Sequence, residues 1–338
     1  MSDERVRLCM IGAGNHSSTN IYPYFHFLAD RAEVVANGDL EIEKARGIGR
    51  KFGIERHYDD FHEMLEEEQP HGVMVCIGDK AHAELGVEIM RLGYHVYVEK
   101  PHAPSLEASC EMLETSRETG RICMVAFKKR FAPAYVQARK TIMSDEFGRP
   151  TMIQLMRGKG GSGSDAPGWL WQWGCHLTDL VPFLFGPVAE VQAYKTADDW
   201  SAVTANLRFV NAAVGTVTYC SPGGNWEEVV AVGEAMKAVK VSNSIRMTRY
   251  HGNAPDGAHL PSFVAGSTHS AVEMGFVGEL QEFAAAIRDA RQPESNIAHA
   301  THTRALHEAI MESLDAGASV EVEQFDPHEP GIPKGMKE

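Results

Sequence analysis

Apolar residues arrive in short, separated blocks through the first third of the chain. The blocks are Val6-Arg7-Leu8-Cys9-Met10-Ile11, Glu33-Val34-Val35-Ala36, Gly72-Val73-Met74-Val75-Cys76-Ile77, Tyr94-His95-Val96-Tyr97-Val98 and Ile122-Cys123-Met124-Val125-Ala126-Phe127. Each is too short for a helix and nearly continuous, which is the pattern of strands buried on both faces. Helix-compatible stretches over residues 40–52, 82–92 and 106–118 lie between them, the last ending at Gly120, a C-cap residue. Strands alternating with helices predict an α/β domain over residues 1–125, built on a parallel, doubly wound sheet.

After about residue 126 the pattern changes. It predicts a helix over 133–143, a strand over 151–156 and a helix over 172–184. A Gly/Ser-rich stretch at 158–164 reads as a lid or a plain connection. Strand-like segments follow at 189–194, 202–209, 214–219, 228–232 and 238–241, joined by short turns that favour antiparallel hairpins. Amphipathic helices at 277–291 and 300–316 come next, and the Pro/Gly-rich stretch 327–338 reads as irregular. Residues 126–338 are thus expected to form an α+β domain with a large, mostly antiparallel open sheet. The uncovered face of such a sheet predicts a homodimer or homotetramer.

With 338 residues, 43% apolar and 23% charged, the chain is long enough for two substantial cores. A net charge of −14 without a basic stripe argues against nucleic acid. The six cysteines form no CxxC pair and no zinc spacing, so buried reduced thiols and no metal site are expected. No apolar run is long enough to span a bilayer. The polar start, Met1-Ser2-Asp3-Glu4-Arg5, leads directly into the first strand, and a cytoplasmic location is expected.

Gly12-Ala13-Gly14-Asn15-His16-Ser17 follows the first apolar block. A strand, a glycine turn and a helix start place backbone N–H groups toward a pyrophosphate. Gly12 permits the turn, Gly14 permits close approach, and Ser17 is a small residue where the chain packs tightly. Asp39 follows the second block, 27 positions beyond Gly12, where a carboxylate holds an adenosine ribose. A carboxylate there repels a 2′-phosphate, so NAD is expected in preference to NADP. The expected cofactor contacts are Gly12, Ala13, Gly14, Asn15, His16, Ser17, Asp39, Ile77, Gly78, His82, Glu99 and Lys100.

Glu99-Lys100-Pro101 ends the fourth block, at the strand end where doubly wound sheets bind ligands. Lys100 there either holds a reacting hydroxyl or pairs with Glu99 on the surface. In Gln172-Trp173-Gly174-Cys175-His176-Leu177-Thr178-Asp179, positions 172, 176 and 179 share a helix face. His176 is either a proton acceptor or a satisfied core histidine. The same alternatives hold for His16 and His82, while His95, inside a strand, reads as structural. Trp169, Trp171 and Trp173 are sugar-stacking or packing residues. Lys128, Lys129, Arg130, Arg157 and Lys159 either gather around an anionic group or form a solvated edge.

Together these motifs resemble the glucose–fructose oxidoreductase / inositol dehydrogenase (Gfo/Idh/MocA) family. The resemblance runs from the Gly12 turn through His82-Ala83-Glu84, Glu99-Lys100-Pro101, Phe131-Ala132-Pro133 and His176-Leu177-Thr178-Asp179 to the closing helices. It implies a Rossmann domain, an open-sheet second domain that mediates oligomers, and NAD(P)-linked oxidation of a sugar or polyol hydroxyl. Lys100 and His176 are the implied acid–base groups; read from the residues themselves, Gln172, Asp179, Trp173 and Lys129 are the expected substrate contacts. Gln172 stands where the family commonly has Asp, and Ile77-Gly78-Asp79-Lys80 lacks the prolines of many members. The Gln leaves room for a redox-neutral glycosidase or lyase on the same scaffold. A non-catalytic sugar or NAD sensor is the third reading.

Overall fold

The computed structural model describes residues 5–159, 166–196, 200–221, 224–234, 236–260 and 269–326. The stretch expected as a lid and the stretch 327–338 expected as irregular lie largely or wholly outside these. Of the described residues, those within Met1–Phe127, Phe276–Thr301 and Phe325–Glu338 group into one unit, and those within Lys128–Gly275 and His302–Gln324 into another.

In the first unit the apolar blocks become β1 (Val6–Ile11), β2 (Ala32–Gly38), β4 (Gly72–Val75), β5 (His95–Val98) and β6 (Cys123–Val125). A further strand, β3 (Arg56–Tyr58), was not legible as one, because it is three residues long and mostly polar. The sheet is parallel throughout, in the order β3-β2-β1-β4-β5-β6. The order reverses between β1 and β4, which makes their C-terminal ends the ligand-binding edge of such a sheet. The helices are α1 (Asn15–Asn20), α2 (Ile42–Phe52), α3 (Phe61–Glu68), α4 (Asp79–Arg91) and α5 (Leu106–Thr119). The Ser105 hydroxyl caps α5 by accepting from Ala108 N–H at 3.2 Å, and Gly120 closes it in the left-handed conformation, φ 66°. The helix after the glycine turn is only six residues long, and a 3₁₀ segment, Tyr22–Leu28, carries the chain onward.

The second unit begins with α6 (Pro133–Ile142) and β7 (Pro150–Gly158). A short helix, α7 (Ala166–Trp169), runs through one π-helical turn, Leu170–Gly174, into α8 (Cys175–Phe185). Then come β8 (Val188–Lys195), β9 (Ala202–Phe209), β10 (Val214–Cys220), β11 (Trp226–Gly233), β12 (Lys237–Ser242), β13 (Arg246–His251) and β14 (Ala254–His259). With a last short strand they form a nine-stranded sheet, antiparallel except where β10 lies parallel to β7. Along β9, β10 and β11 every second residue is buried, so one face carries the core and the other stays accessible.

After the short helix α9 (His269–Glu273) come α10 (Phe276–Arg288) and α11 (Ile297–Ala316), and the last strand, β15 (Val320–Glu321), pairs with β8. The expected assignment of all residues after 126 to the second domain is corrected here. Residues 276–301 group with the first unit because α10 packs directly on that sheet. A Cβ on Gly72 of β4 would come within 2.8 Å of Ile287 and 3.0 Å of Phe283. Ser295 Oγ donates to the Val125 carbonyl at 2.6 Å. Among the described residues no helix is long and apolar enough to cross a membrane.

Candidate functional site

The glycine turn sits directly beyond β1. Gly12 has φ +105°, and a Cβ there would lie 2.2 Å from the Cys76 carbonyl oxygen at the end of β4. The turn can therefore lie against β4 only because residue 12 has no side chain. Gly14 differs: its φ is −78°, and a Cβ there would meet nothing within 4 Å. Gly12 serves the fold, and Gly14 leaves open space beside the turn. Ser17 is fully buried and donates its hydroxyl to the Gly14 carbonyl at 3.1 Å. It thereby braces the turn, as a small residue can.

Asp39, just past β2, reaches this turn. Its Oδ2 accepts from Ala13 N–H at 2.8 Å and its Oδ1 from Glu41 N–H at 3.0 Å. Two backbone bonds fix the carboxylate beside the open volume and leave it lone pairs for further donors. The open space at Gly14, the anchored carboxylate of Asp39 and the sheet's reversal at β1/β4 suit an NAD dinucleotide. Gly12–Ser17 would take the pyrophosphate, and Asp39 the adenosine ribose.

His82 and Glu99 are placed differently from expectation. His82 is buried, its Nε2 accepts from Ile77 N–H at 2.9 Å, and Nδ1–H donates to the Pro101 carbonyl at 2.9 Å. Both ring nitrogens are occupied, and burial lowers its pKa. The expected cofactor contact of His82 is corrected: it ties the Ile77-Gly78 turn to the Lys100-Pro101 segment and holds both in place. Glu99 is also buried; its Oε2 accepts from Lys100 N–H at 3.0 Å, and His16 Nε2 lies 3.3 Å from its Oε1. Burial pushes its pKa up, but the His16 hydrogen bond and the charges around it bring the net value below the usual range. Its carboxylate is spent inside the protein, where it links the glycine turn to the Lys100 backbone. Lys100 itself is half-buried at the end of β5, and Ile77 is exposed. His95 is structural as expected, accepting from Ile122 N–H at 3.0 Å.

In the second unit the expected helix face becomes a gradient. Gln172 and Trp173 are exposed on the π-helical turn, His176 is 5% exposed on α8, and Asp179 is fully buried. A π turn is a local insertion often found at functional sites. Gly174 lets this turn approach the sheet, since a Cβ there would sit 3.0 Å from the Tyr219 ring. Two expected substrate contacts are corrected. Asp179 is held by Arg130, Nε to Oδ2 at 2.8 Å and Nη2 to Oδ1 at 2.6 Å, and by Thr303 at 3.2 Å. Lys129, 3% exposed, donates to Glu227 at 2.7 Å and to Ser244 at 2.6 Å. Buried charges must be paired, and these two pairs fix α8 and the start of the second unit. Trp171 packs in the core against His307, 4.9 Å between ring centroids, with Arg304 over its face. Trp173 is the exposed one of the three, with Lys159 Nζ 3.4 Å from its ring centroid.

Glu227 was missed by sequence reasoning, although a signal was present. It occupies the inward phase of β11 with Val229 and Ala231, so a carboxylate stands where the pattern calls for an apolar residue. Burial would raise its pKa, but Lys129 and Arg157 hold it at about 2.

Residues 6–127 match the family model described as an oxidoreductase family with an NAD-binding Rossmann fold, GFO_IDH_MocA. Residues 135–239 match the GFO/IDH/MocA C-terminal domain. The chain is 26% identical over 304 residues to a 4-carboxy-2-hydroxymuconate-6-semialdehyde dehydrogenase of Sphingobium sp., covering 87% of this chain and 94% of that protein. It is 31% identical over 153 residues to a scyllo-inositol 2-dehydrogenase (NAD(+)) of Bacillus subtilis, covering 44% of this chain and 43% of the relative. Its fold is like that of levoglucosan dehydrogenase solved with NADH and L-sorbose, with a TM-score of 0.82 at 20% identity, covering 95% of this chain and all of that one.

Proposed function

Because the chain belongs to the Gfo/Idh/MocA oxidoreductase family and binds NAD, we propose that it oxidises a secondary hydroxyl of a sugar, polyol or sugar derivative. When bound, NAD supplies the hydride acceptor. The observation that carries the reading is the state of the first unit's binding edge. Asp39 is anchored at an open glycine turn, and the Lys100 backbone is tied to that turn through Glu99 and His16.

Lys100 Nζ holds the reacting hydroxyl oxygen, and His176 takes up its proton. Gln172, exposed and uncharged, orients the substrate by hydrogen bonds and carries no proton itself. The Trp173 ring offers a stacking face for a C–H-rich substrate. Asp39 favours NAD over NADP, because a carboxylate beside the ribose accepts its hydroxyls and repels a 2′-phosphate. The accessible sheet face pairs with a second copy of the chain.

A panel of sugars, polyols, sugar acids and glycosides tests this, each incubated with NAD and read by NADH absorbance and by product mass. Two hydrogens lost with matching NADH is the expected result. Product formed without NADH, or no turnover across the panel, would overturn it.

A further inference from the structure

One rung of the second sheet carries polar groups where its neighbours are apolar. On β7 the inward residues run Ile153, Leu155, Arg157; the first two are fully buried, and the Arg157 side chain is 17% exposed. Arg157 stands between Tyr219 of β10 and Glu227 of β11 in register. Tyr219 bonds Thr178 of α8 at 2.7 Å between hydroxyl oxygens, so this rung lies under the helix that carries His176.

Among the described residues, charge at this rung does not balance. Glu227 is a single carboxylate within ion-pair distance of two cations, Lys129 at 2.7 Å and Arg157 at 3.5 Å. It also accepts from the Tyr135 and Ser244 hydroxyls, each at 2.7 Å. Lys129 takes the close contact, and Arg157 keeps only the long one. Its Nη1 is buried and stands 3.5 Å from Glu227 Oε2, too far for a hydrogen bond. Burial, with Arg157 and Lys159 nearby, pushes the Lys129 ammonium down to about 8 despite Glu227. Lys159, two residues along from Arg157, lies over the exposed Trp173 ring. Arg157 shares its one carboxylate with Lys129, so one positive charge stays uncompensated among the described residues, and the exposed part of its guanidinium can take an anion.

We propose that Arg157 binds a carboxylate of the substrate, so that the hydroxyl compound this chain takes is a hydroxy acid of sugar-acid size. The proposal deepens the oxidoreductase reading and rests on it. One surplus charge and a planar donor fork match a carboxylate monoanion, whereas a phosphate dianion calls for more donors.

The test is calorimetric titration of the NAD-saturated protein with matched probes: D-gluconate against D-glucitol, and D-glucuronate against D-glucose. Each acid is expected to bind about tenfold or more tightly than its neutral partner, the value of a charge-assisted bond. Added salt weakens only the acids. Arg157→Gln brings the ratio close to one, and Arg157→Lys restores part of it. NAD affinity and thermal unfolding report whether each variant folds. If Arg157→Gln does not, the lysine variant and the salt series carry the test.

Equal binding of acids and neutral partners, no acid binding at millimolar concentration, or an unchanged ratio in Arg157→Gln overturns the proposal. So does D-glucose 6-phosphate binding more tightly than both acids. Neutral polyols oxidised with NAD and no preference for acids would remove this inference alone. Acids bound through Arg157 with no hydroxyl compound ever oxidised would remove the oxidoreductase reading instead.

Discussion

Replacing Gly12 and Gly14 by alanine, one at a time, separates two roles that look alike in the sequence. At Gly12 an alanine inherits φ +105°, a conformation that costs an L-residue roughly 1–3 kcal/mol. Its Cβ would also stand 2.2 Å from the Cys76 carbonyl oxygen. No rotamer relieves a backbone clash, so β1 and β4 must shift apart at about 1–3 kcal/mol more. For a unit of this size the sum lowers Tm by roughly 4–24 °C. At Gly14 the alanine keeps φ −78° and meets no protein atom within 4 Å. Stability should stay level or rise by about 0.4–1 kcal/mol, through the stiffer unfolded chain. The methyl group would instead enter the volume a dinucleotide must occupy, and NAD binding should weaken about tenfold or more, near 1.4 kcal/mol. Thermal unfolding without cofactor and NAD titration read the two effects apart. A Gly14→Ala protein with unchanged NAD affinity, or a Gly12→Ala protein melting with the wild type, would contradict these two roles.

Asp39→Ala should weaken NAD roughly 10–100-fold and narrow the gap to NADP, since a fixed acceptor and a repulsive charge leave together; titration with both cofactors checks it. Gln172→Ala should lower kcat/KM by roughly 2–10-fold and keep both limbs of the pH–rate profile, because an amide orients without titrating. Glu227→Gln strands Lys129 and Arg157 in a buried site and should cost about 3–5 kcal/mol, read by chemical denaturation. The pH sign follows from the lowered carboxyl: with the folded group at about 2 and an unfolded glutamate near ~4.3, its stabilisation is complete above the unfolded value. It is lost as pH falls toward 2, and Glu227→Gln should lack that part of the acid-induced drop in Tm.

The strands were legible where burial is continuous or strictly alternating. β1, β9 and β10 appear almost as their patterns predict, since both faces of β1 and one face of β9 and β10 are covered. β3 escaped because Arg56-His57-Tyr58 pairs only at the sheet edge and buries little. The glycine turn and Asp39 were readable because their chemistry is local: a fixed φ, a close approach and a carboxylate at a set distance. His82, Lys129 and Asp179 show the limit. Residue type and spacing mark each as polar and near a site, but whether it faces a ligand depends on partners distant in sequence. Pro101 lies 19 residues from His82, Glu227 lies 98 from Lys129, and Arg130 lies 49 from Asp179. The return of α10 to the first sheet was hidden for the same reason, because an amphipathic helix does not state which sheet it covers.

The most direct test of the central claim compares wild type, Lys100→Ala and His176→Ala with NAD and a substrate identified from the panel. NAD affinity, turnover and product mass are measured on each. Wild-type NADH formation should be matched by loss of two hydrogens from the substrate. In each variant turnover falls by roughly two to four decades while NAD affinity changes little. Turnover that survives both substitutions, or variants that lose NAD binding along with activity, would contradict it.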